Sequence, residues 1–383
     1  MMTTEKTLGL YLHIPFCAAK CRYCDFYSAP TGAEIRAAYV TALCRHIEAM
    51  ADAAKGRLVD TVYVGGGTPT CLGKTPLGRI LDTVRRCYHL AADAEITVEC
   101  NPVTNAEGRF EGLWAAGFNR LSIGLQSADD AELSSLGRTH TVADFTATLA
   151  AARTAGFTNI SADIMLGIPG QTEESLCKTL DFLLAADLSH ISAYCLRVEE
   201  GTPFYRMRGE LALPTDDAVA DMQLLTAGIL KNAGFEHYEV SNYAREGKRS
   251  RHNLRYWRCG EYLGLGPAAH SYFCGVRYET PRDTAGYIAA VARGDFSSLV
   301  TGATPISPHE RREEYVMLGM RLFRGVDEQE FTKRFGISFA DAYGPFDRYI
   351  AAGLLTRDRG RVAFTEKGML VSNAILSEWL DFS

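Results

Sequence analysis

The chain is 383 residues long, 47% hydrophobic and 22% charged, with a formal net charge of −6 and eleven cysteines. That length exceeds one average core and predicts a large domain with a smaller companion. The acidic balance excludes a long nucleic-acid backbone as the main partner, because phosphate binding needs clustered Lys and Arg.

No apolar run reaches the roughly 18 residues of a bilayer span. Residues 1–9 lack the basic-then-apolar pattern of a secretion signal. A cytoplasmic protein is therefore expected, in which most cysteines stay reduced. The first predicted strand, 9–14, leads into a cysteine-bearing loop and a helix at 33–55. A strand at 61–64 runs into Gly65-Gly66-Gly67 and precedes a helix at 77–88. Strands at 95–99, 120–125, 159–165 and 190–196 follow, with helical patterns after them at 105–116, 142–155, 173–186 and 216–232. Six strand–helix repeats, with crossovers long enough for parallel pairing, predict a partial TIM barrel of the α/β class over residues 1–234. Chemistry in such folds gathers at the C-terminal ends of the strands.

After residue 233 the rhythm stops. Residues 235–306 are rich in aromatic residues and glycine and are expected to form a connecting segment. Helices at 309–323 and 328–335, a hairpin signal at 356–365 and a helix from Glu366 predict a smaller α+β domain over 307–383, winged-helix-like at its end. Residues 305–383 carry 11 Lys and Arg against 12 Asp and Glu. A groove-binding wing should be basic, so this domain is expected to dock on protein rather than nucleic acid.

The richest motif is Cys17-Ala-Ala-Lys-Cys21-Arg-Tyr-Cys24, spaced C-x3-C-x2-C. Three thiolates can close one face of an iron–sulfur cube and leave the fourth iron for another ligand. A zinc knuckle normally has a fourth Cys or His close by. His13 lies just upstream and His46 far downstream, and neither completes one. The cysteines alone leave zinc and cluster both open. Gly65-Gly66-Gly67 lets a backbone approach a ligand closely, and no Lys-Ser or Lys-Thr pair follows to make a phosphate loop.

These motifs carry a resemblance. The cysteine triplet with Tyr23 before its last member is similar to the radical S-adenosylmethionine (SAM) superfamily. The run Tyr11-Leu-His-Ile-Pro-Phe-Cys17, with Gly65-Gly66-Gly67-Thr68-Pro69-Thr70, resembles the oxygen-independent coproporphyrinogen III oxidase family. Within it, the chain most resembles the short haem-chaperone (HemW) branch. The resemblance implies a [4Fe–4S] cluster on Cys17, Cys21 and Cys24, with SAM on the open iron. It implies SAM contacts from Tyr11, Gly66, Gly67 and Thr68, from Glu99 in Val-Glu-Cys-Asn-Pro, and from Gln126 in Ser-Ile-Gly-Leu-Gln-Ser. Arg138 in Leu-Gly-Arg-Thr-His and Asp163 in Ala-Asp-Ile-Met complete that set, the last facing the ribose hydroxyls. Arg138 and Glu99 also suit a plain barrel-rim ion pair.

The motif His252-Asn-x-x-Tyr256-Trp257 is similar to one of the haem-chaperone branch, and neutral imidazole with flanking rings suits a flat macrocycle. His252 is the candidate haem ligand; His13 and His270 are weaker ones, and His13 is expected to brace the cysteine loop. The blander role for His252 is a satisfied histidine in an aromatic interface. The oxidase branch carries a further cysteine where Phe26 stands, and a longer N-terminal segment than the sixteen residues before Cys17. Both departures favour a haem chaperone, with haem and haem-acceptor proteins as partners, over the oxidase. A radical SAM modifier of RNA is disfavoured by the net charge.

Overall fold

The computed structural model describes residues 6–102 and 108–381. The chain forms two compact units, one of Met1–Pro214 with Gly260–Pro305, the other of Thr215–Cys259 with Ile306–Ser383. The segment 235–306, expected as one connector, is divided between them at residues 259 and 260.

In the first unit six parallel strands stand side by side in chain order: β1 Lys6–Ile14, β2 Arg57–Gly66, β3 Leu90–Cys100, β4 Arg120–Gln126, β5 Ile160–Leu166 and β6 His190–Cys195. Successive side chains of a strand point to opposite faces. Register then sorts the two faces. Leu10 pairs with Val62, Val62 with Ile96, Val98 with Leu121, and Ile123 with Ala162, all buried. The other face joins Tyr11 to Tyr63, Tyr63 to Thr97, Glu99 to Ser122, Gly124 to Asp163 and Asp163 to Ser192. An apolar face needs cover, which the buried stripes of the intervening helices offer, for example Leu43 and Ile47 of Ala33–Met50 and Leu77, Ile80 and Leu81 of Lys74–Cys87.

Thr141 and Thr172 start the helices Val142–Thr154 and Glu173–Ala185 with reciprocal capping boxes. The predicted helix 105–116 is observed as Arg109–Ala116; its residues 105–107 lie outside the described residues. Strands β2 and β3 begin four and five residues earlier than predicted, at Arg57 and Leu90, because charged residues there mask the pattern.

The sheet does not stop with the predicted strands. Tyr262–Leu265 pairs in parallel with β1, on the side away from β2, and His270–Phe273, Val276–Glu279 and Thr301–Pro305 extend it in antiparallel fashion. Four residues containing a glycine gave no strand signal. That glycine is needed: a Cβ on Gly264 would lie 2.0 Å from the His270 carbonyl oxygen.

The second unit contains the helix Asp216–Asn232, the hairpin of Glu236–Glu239 with Asn242–Ala244, and the helix Arg251–Trp257. Pro308–Gly319 and Glu328–Phe335 follow, then the hairpin Leu355–Asp358 with Arg361–Phe364, to which Val326–Asp327 adds a third antiparallel strand. Phe331, Phe339, Tyr343 and Phe346 fill its core, with Trp379 packed against them. The helices and hairpin match the expected winged-helix-like order. Among the described residues, no helix is long and apolar enough to cross a membrane.

Candidate metal and cofactor site

The cysteine loop leaves the end of β1 and is pinned from two sides. Phe16 bridges Ala29, and the Cys17 amide donates to the Ala29 carbonyl at 3.3 Å. On the other side, the Arg22 amide donates to the Leu136 carbonyl at 3.0 Å, in the loop that carries Arg138. The glycine run passes directly beneath. The Gly67 amide donates to the Ile14 carbonyl at 2.8 Å and the Thr68 amide to the Phe16 carbonyl at 2.7 Å. A Cβ on Gly67 would sit 2.5 Å from the Phe16 carbonyl oxygen and 3.0 Å from the Cys17 Sγ. Only a glycine lets these two segments touch.

A chain of polar contacts connects two of the three thiols. The Thr68 hydroxyl lies 3.5 Å from the Cys17 Sγ and accepts from the Asn101 Nδ2 at 2.9 Å. Arg138 donates from Nη2 to the Asn101 Oδ1 at 2.8 Å and to the Gly124 carbonyl at 2.7 Å, and from Nη1 to the Cys21 Sγ at 3.4 Å. Asn101 was missed by sequence reading. Its only signal was its place in the Glu99-Cys-Asn-Pro end of β3.

Gln126 ends β4 with a φ of 72°, in the left-handed region that a non-glycine residue enters at a cost. The bend folds its side chain over Gly124, where an added Cβ would lie 2.8 Å from the Gln126 Nε2 and 3.0 Å from the Arg138 Nη2. Gln126, Arg138, Thr68 and two of the thiols are therefore brought together.

Beside them, Glu99 accepts from the Tyr63 hydroxyl at 2.7 Å and from the Gly66 amide at 3.0 Å. Burial, with the Asp163 charge adding to it, pushes Glu99 up to about 7, against the pull of those two donors. Under Gly66 lies the His13 ring, whose Nε2 meets the Tyr27 carbonyl at 2.9 Å and whose Nδ1 meets the Tyr11 hydroxyl at 3.0 Å. A carbonyl only accepts, so the proton is on Nε2 and Nδ1 accepts from Tyr11. Burial lowers the His13 pKa and keeps the ring neutral. It joins β1 to the cysteine loop. Asp163 lies deeper along β5, where the Ser122 hydroxyl donates to its two oxygens at 3.0 and 3.1 Å.

The remaining candidates lie elsewhere. His252 belongs to the second unit; it is 1% exposed, and its Nε2 lies 2.8 Å from the Tyr256 hydroxyl. His270 is exposed and lies 3.3 Å from Glu279 in an ion-pair geometry. Phe26 is 67% exposed.

All three thiols are free of disulfides. Three thiols on one loop fit three corners of a cubane, in which each thiolate has its own iron.

The Glu99 shift has a measurable consequence. In cofactor-free protein, the neutral acid is favoured in the folded state, so its contribution is full below about pH 4 and is lost as pH rises through 7. Glu99→Gln keeps the neutral shape at every pH. Its Tm relative to the parent chain is expected to climb between pH 5 and 8, by an amount corresponding to ~3 kcal/mol at most. A difference that stays flat with pH would contradict the assignment.

Comparison with known proteins bears on the family and the fold. A family model described as the radical SAM superfamily matches residues 11–183, and one described as the HemN C-terminal domain matches residues 306–371. The heme chaperone HemW of Mycobacterium tuberculosis (strain ATCC 25618 / H37Rv) is 36% identical over 373 residues, covering 96% of this chain and 93% of the relative. The heme chaperone HemW of Escherichia coli (strain K12) is 35% identical over 380 residues, covering 97% and 98%. The mitochondrial radical S-adenosyl methionine domain-containing protein 1 of Mus musculus is 35% identical, covering 96% and 86%. The solved structure of coproporphyrinogen III oxidase (HemN) from Escherichia coli, a radical SAM enzyme, superposes with a TM-score of 0.84 at 24% identity, covering 99% of this chain and 91% of that one. That match establishes a shared fold. With relatives this similar across nearly the whole length of both sequences, the chain belongs to the heme chaperone HemW family of the radical SAM superfamily.

Proposed function

We propose that this protein is a cytoplasmic haem chaperone that binds a [4Fe–4S] cluster, SAM and haem, and passes haem to acceptor proteins. What carries the reading is identity of 35–36% to haem chaperones over almost their full length, against 24% to the oxidase structure. The Phe26 side chain, where the oxidase branch carries a cysteine, supports it.

Cys17, Cys21 and Cys24 would hold three irons and leave one open. The cluster and SAM together supply one-electron chemistry at a sulfonium. The chain's own residues place and shield that pair. Gly66 and Gly67 give close backbone approach, and Thr68 and Arg138 donate toward the thiolate sulfurs. Tyr11, Glu99, Gln126 and Asp163 line the same polar face and are assigned to SAM, with carboxylates accepting from hydroxyl and amine groups. His252 is assigned as the haem ligand. Its ring is buried against Tyr256, so haem binding is expected to change the surroundings of that tyrosine.

Anaerobically reconstituted protein is expected to bind haem at one equivalent and to release it to an apo-haemoprotein, followed by the Soret band. His252→Ala should shift that band. Conversion of coproporphyrinogen III to protoporphyrinogen IX with SAM, and no haem transfer, would replace the chaperone reading with the oxidase one.

A further inference from the structure

The second unit has a cavity of about 240 Å³ between the end of the helix Arg251–Trp257 and the elements around Val326–Asp327. Its walls are aromatic and cationic. Trp257 and Tyr315 supply rings, and Arg258, Arg324, Arg334 and Arg361 supply four guanidinium groups against the carboxylates of Asp327 and Glu330. Two of the four are already engaged. Arg361 pairs with Asp327 at 2.9 Å, and Arg334 lies over the Tyr315 ring at 4.8 Å.

Arg258 and Arg324 are different. Among the described residues neither has a carboxylate at ion-pair distance, although Arg324 attracts Asp327 and Glu330 attracts Arg258 from farther off. Partial burial, together with the like charges of Arg324 and Arg249, holds the Arg258 guanidinium below its usual range. Glu330 offsets this only in part. Like charges kept together in a concave, ring-lined site favour an anion whose body is flat and apolar. Guanidinium groups match carboxylates by paired hydrogen bonds. Pockets that enclose a whole drug-sized ligand run to about 300–1,000 Å³, so this cavity suits one edge of a larger molecule.

We propose that the cavity receives the carboxylate-bearing edge of the tetrapyrrole, with Arg258 and Arg324 pairing its carboxylates and Trp257 packing on its ring. The inference rests on the haem reading above, and it deepens it by naming the groups that recognise the ligand's anionic side. Trp257 closes the same helix that bears His252, so one short element would address both metal and periphery.

The experiment compares haem with haem dimethyl ester, which has no free carboxylate, on the full chain in one detergent buffer. The parent protein is expected to bind haem about 10- to 100-fold more tightly than the ester, the scale of one or two charge-assisted contacts. The R258A/R324A variant should lose that preference, while its far-UV circular dichroism stays that of the parent. Equal affinity of the parent for haem and ester, or an undiminished preference in the variant, overturns the proposal and leaves the haem reading standing. Failure of the parent to bind haem at all overturns both.

Discussion

Replacing Cys17, Cys21 or Cys24 singly by Ala is expected to leave the chain without its iron after anaerobic reconstitution, with loss of the thiolate–iron absorbance. Three thiolates are the fewest that hold a cubane whose fourth corner goes to a small molecule. The neighbour placed to substitute for Cys17 is Cys71, whose Sγ lies 3.6 Å from the Phe16 carbonyl oxygen. Burial pushes the Cys71 thiol up to about 11. That thiol is turned to a backbone carbonyl, so rescue is not expected. Iron and sulfide analysis decides the matter: a full four-iron complement in each single variant would refute the assignment.

The second large effect needs no cysteine. Gly67→Ala places a methyl against the Phe16 carbonyl oxygen, a backbone atom that cannot swing away, and against the Cys17 Sγ. The glycine run and the cysteine loop must then part, weakening the Gly67 and Thr68 amide bonds that join them. Overpacking of this kind costs about 1–3 kcal/mol, and each weakened hydrogen bond about 1 more. That sum is below the roughly 5–15 kcal/mol that holds a domain together. The variant should fold, melt at lower temperature, and fail to retain iron. Gly32→Ala is the control, since a Cβ there meets nothing within 4 Å. Equal iron content in G67A and the parent would show that the close approach is not required.

The six strands were legible because each alternates between a polar and an apolar face, and the apolar residues are those buried under helices. The cysteine spacing marked the loop, but spacing alone left zinc and cluster both open. Asn101 was not, because an Asn before Pro reads as a turn, and its contacts to Thr68 and Arg138 exist only once three strand ends are adjacent. Tyr262–Leu265 was hidden for a similar reason: it is a strand because β1 offers it an edge, not because four residues prefer that shape. His252 was legible as a motif member, and its burial against Tyr256 is what the blander role, a satisfied histidine among aromatic rings, led one to expect.

The pairing of β1 with Tyr262–Leu265 bears on how the protein is made. Chains emerge from the ribosome N-terminus first, and domains tend to fold as they appear. The strand that leads into the cysteines acquires β2 early, but its other flank stays bare until some two hundred further residues have been synthesised. A bare strand flank invites pairing with foreign chains, and contacts so distant in sequence form slowly. Nascent chains arrested before residue 262 should therefore clump, and iron loading should wait until translation has passed that point.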